Sequence, residues 1–292
     1  MKYEFAILGG TGHIGSALTE ILLKEERSVL VIAHSDREKQ KWTKLGAGFA
    51  VADVADSESL KKAFSQAERL FILNPPADPS TDAEQQELEN IKSTGNALKG
   101  LNPEKIVMAS TYGARDQTGI FDLGTLYQLE QLLKEQGSPL AIIRSAYYMS
   151  NFDMPAQMAI ESGKLTTLLP SDFALPMVAP ADIASYAAEL LQNDDTGTFY
   201  LQAEKEYSAN DAAEFLSDLT QTNITTNEIP ESDWPAYMQE NGFSTQSTES
   251  FIGMTKLTIN EKFEAESPRI APTPLSDYLR EMIETLEEKE NK

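Results

Sequence analysis

A glycine turn near the start constrains this chain more than any other feature. The apolar run Phe5-Ala6-Ile7-Leu8 passes into Gly9-Gly10-Thr11-Gly12-His13-Ile14-Gly15, which leads without a break into the amphipathic run 16–23. The order is strand, glycine turn, helix. Glycines at 9, 12 and 15 allow a sharp turn, a close approach of backbone N–H groups to a pyrophosphate, and tight packing of helix on strand. An anion seated there meets unpaired N–H groups and the positive end of the helix dipole. Gly9, Thr11, Gly12, His13, Ile14 and Gly15 are therefore candidate nucleotide-binding residues.

At 292 residues, 41% of them hydrophobic, the chain can bury a full core. Cysteine is absent, which excludes disulfides and thiolate metal sites and is compatible with a reducing compartment. No signal-like arrangement opens the sequence, and no apolar run reaches the roughly 20 residues of a membrane span, so the expectation is a cytoplasmic protein with no membrane role. A net charge of −22 opposes binding to nucleic acid, because phosphate recognition depends on clustered Lys and Arg. The two histidines are His13, inside the glycine turn, and His34, at the end of the second strand, leaving neither a Ser-His-Asp triad nor a histidine metal site.

Apolar runs alternate with helical patterns through the first half. Strands are predicted at 29–33, 49–52, 70–73, 105–109 and 140–144, with helices at 37–45, 57–66, 81–98 and 123–136. Continuous apolar strands separated by helices imply parallel strands covered on both faces, that is, a doubly wound α/β sheet. Beyond about residue 150 the rhythm breaks. Helices are predicted at 149–163, 181–191, 209–219, 231–240 and 274–288, with extended segments at 164–169 and 198–201. The expected division is a nucleotide-binding domain over 1–150 and a smaller α+β substrate lobe over 151–292, interleaved with the sheet because no Gly/Ser linker separates them.

Ligands of such sheets lie beyond the carboxyl ends of the strands. After the second strand, where an NAD-selecting carboxylate would stand, come Ala33 and His34. His34, Ser35 and Arg37 can all donate to a 2′-phosphate, which favours NADP(H) over NAD(H), although Ser35 or Asp36 can equally cap a helix. Asp53-Val54 follows the third strand, as an adenine contact or a helix entry. Asn74-Pro75-Pro76 follows the fourth, near the pyrophosphate and nicotinamide ribose. Ser110-Thr111-Tyr112-Gly113 and Tyr147-Tyr148-Met149-Ser150-Asn151 follow the fifth and sixth, where nicotinamide and a small-molecule substrate should lie. Of these, Ser110 and Tyr147 are candidates for the cofactor and Tyr112, Tyr148 and Asn151 for catalysis.

These residues resemble the NmrA-like atypical short-chain dehydrogenase/reductases. The resemblance is carried by the glycine turn, Asp53-Val54, Asn74-Pro75-Pro76, Ser110-Thr111-Tyr112-Gly113, Ile143-Arg144 with residues 147–151, Pro176-Met177-Val178-Ala179-Pro180-Ala181-Asp182-Ile183-Ala184, and Pro272-Thr273-Pro274-Leu275. It implies a Rossmann domain with a small substrate lobe and, in most members, NADP binding. Members of the group are NAD(P)H-dependent reductases of quinones and related electrophiles, isoflavone-type reductases, or redox-sensing regulators that bind the nucleotide without turnover.

The chain departs from two expected patterns. Many short-chain dehydrogenases use a Tyr-x-x-x-Lys pair, whose ammonium lowers the phenol pKa for proton exchange with a carbonyl oxygen. None of the ten tyrosines has Lys four positions later. Many NmrA-like reductases instead place Lys four residues before a Glu on the helix after the fifth strand; if that Glu is Glu130, the lysine position holds Leu126. Two functions lead, ahead of an unrelated nucleotide-dependent activity such as epimerase-like chemistry. One is a reductase in which Tyr112, Tyr148 and Asn151 orient a quinone-like acceptor and the proton comes from water or from Tyr112 or Tyr148. The other is a nucleotide sensor without turnover, acting through a regulatory protein partner. A homodimer is compatible with either.

Overall fold

The computed structural model describes residues 2–290. The first half runs β1 (Tyr3–Leu8), α1 (His13–Lys24), β2 (Val29–Ala33), α2 (Lys39–Lys44), β3 (Gly48–Val51), α3 (Ser57–Phe64), β4 (Ala67–Ile72), α4 (Ala83–Leu98), β5 (Lys105–Thr111), α5 (Asp122–Gln136) and β6 (Leu140–Ser145). The second half continues with β7 (Tyr147–Tyr148), a 3-10 turn over Met149–Phe152, α6 (Asp153–Ser162), β8 (Lys164–Thr167), β9 (Leu175–Val178), α7 (Pro180–Gln192), β10 (Gly197–Ala203) and β11 (Glu206–Tyr207). It ends with α8 (Ala209–Thr220), β12 (Thr225–Glu228), α9 (Trp234–Glu240), α10 (Thr245–Glu261), β13 (Arg269–Ala271) and α11 (Leu275–Glu290).

Eight strands form one parallel sheet in the order β13-β10-β6-β5-β4-β1-β2-β3. The chain moves outward from β1 through β2 to β3, then returns to place β4 on the other side of β1. That reversal opens the crevice in which doubly wound sheets bind ligands, and the glycine turn after β1 and Asn74-Pro75-Pro76 after β4 flank it. Strand alternation sends Phe5 and Ile7 to one face, under α1 and α7 with Leu18, Leu22, Ile183 and Ala187. Ala6 and Leu8 face the other way, under α3, α4 and α5 with Leu60, Ile91 and Leu129. At the opposite end of the sheet, Arg69 donates to Leu191 O at 2.8 Å and Lys105 to Asn193 O at 2.9 Å, so two cations satisfy carbonyls at the C-terminal end of α7.

The second half contributes β10 and β13 to this sheet and builds its own core around Met149, Leu165, Met177, Leu216 and Leu275. Two differences from the sequence expectation matter for the site. The helix expected at 231–240 breaks into a 3-10 turn, Glu231–Asp233, and α9, with Trp234-Pro235 at the junction. The 17-residue helix α10 was not expected at all. Among the described residues no helix is long and apolar enough to cross a membrane.

Candidate functional site

The turn after β1 has the features its glycines require. Gly9 adopts a φ of +71°, and the Gly12 N–H closes back on Gly9 O at 3.0 Å. A Cβ on residue 15 would stand 2.2 Å from Gly9 O and 2.7 Å from Gly10 Cα, so only glycine lets α1 approach this closely. Gly12 caps α1 without a side chain, which leaves the first-turn N–H groups uncapped by any side chain, as an anion site needs. Gly12 and His13 are exposed and Thr11 half-exposed, whereas the Ile14 side chain is buried in the core and offers the site only its backbone. His13 Nε2 lies 3.8 Å from Asp153 Oδ2 on α6, and that carboxylate also accepts from the Tyr278 hydroxyl at 2.6 Å. The phosphate turn is thereby in contact with the second half of the chain.

Beyond β2 and β3, His34 and Arg37 are exposed and Ser35 half-exposed, and α2 begins after Glu38, so neither Ser35 nor Asp36 caps it. Asp53 accepts from Ala55 N at 2.9 Å, while Asp56 caps α3 by accepting from Glu58 N and Ser59 N. Asp53 thus shapes the turn and stays exposed; Val54 packs partly into the core.

After β4 the structure shows what sequence reasoning missed. Asn74 Nδ2 donates to Glu87 Oε2 at 3.3 Å, Ala77 N to Glu87 Oε1 at 3.4 Å, and Thr125 Oγ1 to Glu87 Oε2 at 2.7 Å. Glu87, 1% exposed, is the post that holds the Asn74-Pro75-Pro76 segment against α4 and α5. Burial, and next the negative charge of Asp122, push its carboxyl up to about 8. The sequence carries a signal for it: on α4 the buried positions include 83, 87, 91, 94 and 98, and a charged residue sits in that apolar stripe.

The ends of β5 and β6 divide the predicted residues. Ser110 is fully buried and donates to Glu130 Oε1 at 2.6 Å, which places it beneath the site and away from solvent. Glu130, also fully buried, is held by Arg144 through two hydrogen bonds of 2.9 and 2.8 Å. The cation that balances Glu130 therefore comes from β6, and Leu126 is left free to line a cavity. Tyr112 is buried, stacks edge-on with Tyr200 at 5.5 Å, and donates its hydroxyl to Gln202 at 3.0 Å. Tyr147 and Tyr148 are half-buried, with Asn151 beside the Tyr147 hydroxyl and exposed to solvent. Ser145 Oγ approaches the Tyr148 hydroxyl without a well-formed hydrogen bond and is itself buried. Burial raises the phenols of Tyr112, Tyr147 and Tyr148, which weakens each as an acid.

Tyr112, Tyr147, Tyr148 and Asn151 converge on a cavity of about 530 Å³. Its floor is the carboxyl ends of β5 and β6, its wall the start of α5 with Asp122 and Leu126, and its roof Met238, Phe243, Phe251, Met254 and Phe263 from α9, α10 and the segments around them. The helix α10 is seated closely: a Cβ on Gly253 would meet Gly119 O at 2.1 Å. Asp122, half-buried at the first position of α5, is the acidic residue of this lining; burial pushes its carboxyl up to about 6.

Comparison with known proteins agrees with this architecture. The model of the NmrA-like family matches residues 1–279. Quinone oxidoreductase 2 of Escherichia coli strain K12 is 21% identical over 259 residues, covering 86% of this chain and 88% of the relative. Among solved structures, the NADP(H) complex of the Citrobacter sp. triphenylmethane reductase superposes with a TM-score of 0.79 at 17% identity, over 96% of this chain and 100% of the other. The NADPH complex of the Escherichia coli quinone oxidoreductase gives 0.74 at 18% identity, over 96% and 99%.

Proposed function

This chain belongs to the NmrA-like family, and from that premise we propose that it is an NADPH-dependent oxidoreductase that reduces a quinone-like or related small electrophilic acceptor. The observation that carries the reading is the aromatic cavity of about 530 Å³ at the ends of β5 and β6, on the side of the sheet crevice where a nicotinamide would lie. A sensor that only holds the nucleotide has no need of such a chamber, which is why turnover is favoured over sensing. Two relatives support the same reading by what they are called: a quinone oxidoreductase and a triphenylmethane reductase, both seen with the phosphorylated cofactor.

The residues present fit that cofactor. The backbone of 9–15 would hold the pyrophosphate, and His34, Ser35 and Arg37 would face the 2′-phosphate with three donors and no carboxylate at the strand end itself. Asp53 and Val54 would border the adenine, and Asn74, Pro75 and Pro76, braced by Glu87, would border the nicotinamide ribose. When bound, the reduced nicotinamide supplies the hydride. Tyr112, Tyr148 and Asn151 would orient the acceptor by ring contact and hydrogen bonding, and the apolar roof would keep water from the reacting carbon. On this division residues 1–150 hold the nucleotide and supply Tyr112 and Tyr148 to the cavity, and the lobe that begins at residue 151 closes over the substrate, in a cytoplasmic protein for which a homodimer is compatible.

The test is calorimetric titration with NADPH, NADH, NADP and NAD, followed by nicotinamide absorbance with a panel of quinones and enones. We expect NADPH to bind more tightly than NADH, and quinone-dependent oxidation that falls in Tyr148→Phe and Asn151→Ala. Tight binding with no oxidation across the panel would replace this reading with the sensor.

A further inference from the structure

We propose that Asp122 is the general acid of the cavity, donating a proton to the oxygen of a neutral carbonyl acceptor and so replacing the Tyr–Lys pair this chain lacks. The inference rests on the reductase reading. It adds a catalytic residue, and it specifies the substrate as a neutral quinone or enone whose reduced oxyanion needs a proton.

Asp122 opens α5 and lines the cavity with Tyr112, Leu126 and Tyr148. Its position is over-determined: the Gly119 and Phe121 N–H groups donate to the two oxygens of Glu84, at 2.8 and 3.2 Å, and Phe121 takes a φ of +45° immediately before it. A carboxylate at a helix N-terminus ordinarily ionises more readily, because the dipole favours its charge. Here the apolar surroundings win, and the group titrates near the pH at which a general acid is most effective.

The neighbours point the same way. Glu87 of α4, within electrostatic reach of Asp122, keeps its own proton up to about pH 8, and Tyr112, Tyr147, Tyr148 and Tyr237 surround the cavity with phenols. Lys262, the basic residue of the lining, is held by Glu206 at 2.9 Å. Among the described residues no side chain pairs with Asp122 and no cation offsets its charge. The tyrosines, raised by burial, are the weaker donors.

In the step itself, the acceptor takes two electrons and one hydrogen as hydride from the reduced nicotinamide, and its C=O π bond opens to an oxyanion. The O–H bond of Asp122 breaks as a new O–H forms on the product. The carboxylate regains its proton from water at the mouth, where Asn151 is exposed.

The experiment compares wild type with Asp122→Asn, which keeps the shape and a hydrogen-bond donor but has no proton to give. NADPH affinity, read by fluorescence, should be the same in both. Single-turnover reduction of a para-quinone, followed from about pH 5 to about pH 9, should fall with rising pH in wild type and be flat and at least about a hundredfold slower in the variant. Infrared difference titration of the free protein should show a protonated carboxyl band that disappears near pH 6 and is missing from the variant. If wild type binds NADPH and oxidises none of it, the reductase reading and the proposal fall together. If wild type turns over and the variant keeps its rate or its pH profile, or the band is absent, the proposal alone is overturned. Should Asp122→Asn fold poorly, Asp122→Ser gives the same arms.

Discussion

Arg144 holds Glu130 by two hydrogen bonds, Nε to Oε1 at 2.9 Å and Nη2 to Oε2 at 2.8 Å, on a carboxylate with no exposed surface. Ser110 adds a third bond at 2.6 Å, and Lys134 stands 3.7 Å away on the same helix. This cluster ties β5 and β6 to α5 directly beneath the cavity floor.

Removing Arg144 leaves the buried Glu130 with only Lys134, 3.7 Å away, as counter-charge, and removing Glu130 leaves the half-buried Arg144 without its hydrogen-bonded carboxylate. Glu130→Ala or Arg144→Met should each cost about 3–5 kcal/mol, read as a fall in the urea midpoint with an unchanged slope. The double variant Glu130→Leu/Arg144→Met should lose less than the sum, because an apolar pair needs no compensation. Additive losses would mean that the two residues do not act as a pair.

The glycine turn separates folding from binding at two positions. Gly15→Ala drives a methyl into Gly9 O and Gly10 Cα, and we expect at least about 3 kcal/mol of destabilisation together with loss of nucleotide binding. Gly12 has a φ of −82°, and a Cβ there would meet only Gly9 O, at 3.5 Å. Gly12→Ala should therefore melt within a few degrees of wild type and still bind NADPH at least about tenfold more weakly, since the methyl occupies the path of the phosphate. Unchanged affinity in Gly12→Ala would move the phosphate elsewhere.

The contrast between α1 and α10 shows what the sequence could reveal. Leu18 and Leu22 repeat at helical spacing after a glycine turn, so element, face and phosphate site could all be read from residue type. In α10 the buried positions are Ser247, Thr248, Ser250 and Thr255, and no apolar stripe marks them. Burial of three of them becomes possible because the hydroxyls of Ser250 and Thr255 return to carbonyls of their own helix, and that of Ser247 reaches Thr81 O at 2.7 Å. Asp122 was hidden differently: an acid in a first turn looks like an ordinary response to the dipole until the packing around it is known. Ser110 shows the converse, a hydroxyl at a strand end that reads as a ligand contact and turns inward to Glu130.

The buried acids give stability a measurable pH dependence. Glu87 keeps its proton in the folded chain up to about 8, whereas in the unfolded chain it loses it near 4.5. Across that window the folded state binds the extra proton, so stability falls as pH rises, by up to about 1.4 kcal/mol per pH unit for one group. Asp122 adds the same sign between 3.8 and about 6. Melting temperature should decline from about pH 6.5 to about pH 8, and Glu87→Gln should flatten that decline. An equal slope in wild type and variant would show that Glu87 ionises normally.

The link between Glu84 and Phe121 connects the unexpected helix to the site. Glu84 accepts from the N–H groups of Gly119 and Phe121, and Gly253 of α10 presses on the Gly119 carbonyl, so the turn is fixed from both sides. Phe121 in that turn sits at φ +45°, ψ −129°, a conformation an aromatic residue keeps only when its surroundings hold it. Glu84→Ala removes both acceptors and lets the turn relax toward ordinary dihedrals, which would shift the first residue of α5 relative to the cavity. Because Glu84 is only half-buried, the stability loss should stay near about 1–2 kcal/mol. The glycine turn lies across the crevice and should keep its NADPH affinity. The rate of quinone reduction should instead drop by between about 10- and about 100-fold, since a displacement of about 1 Å is enough to misalign a reacting group. A variant that loses stability yet keeps its rate would show that the turn holds the fold and not the geometry of the reaction.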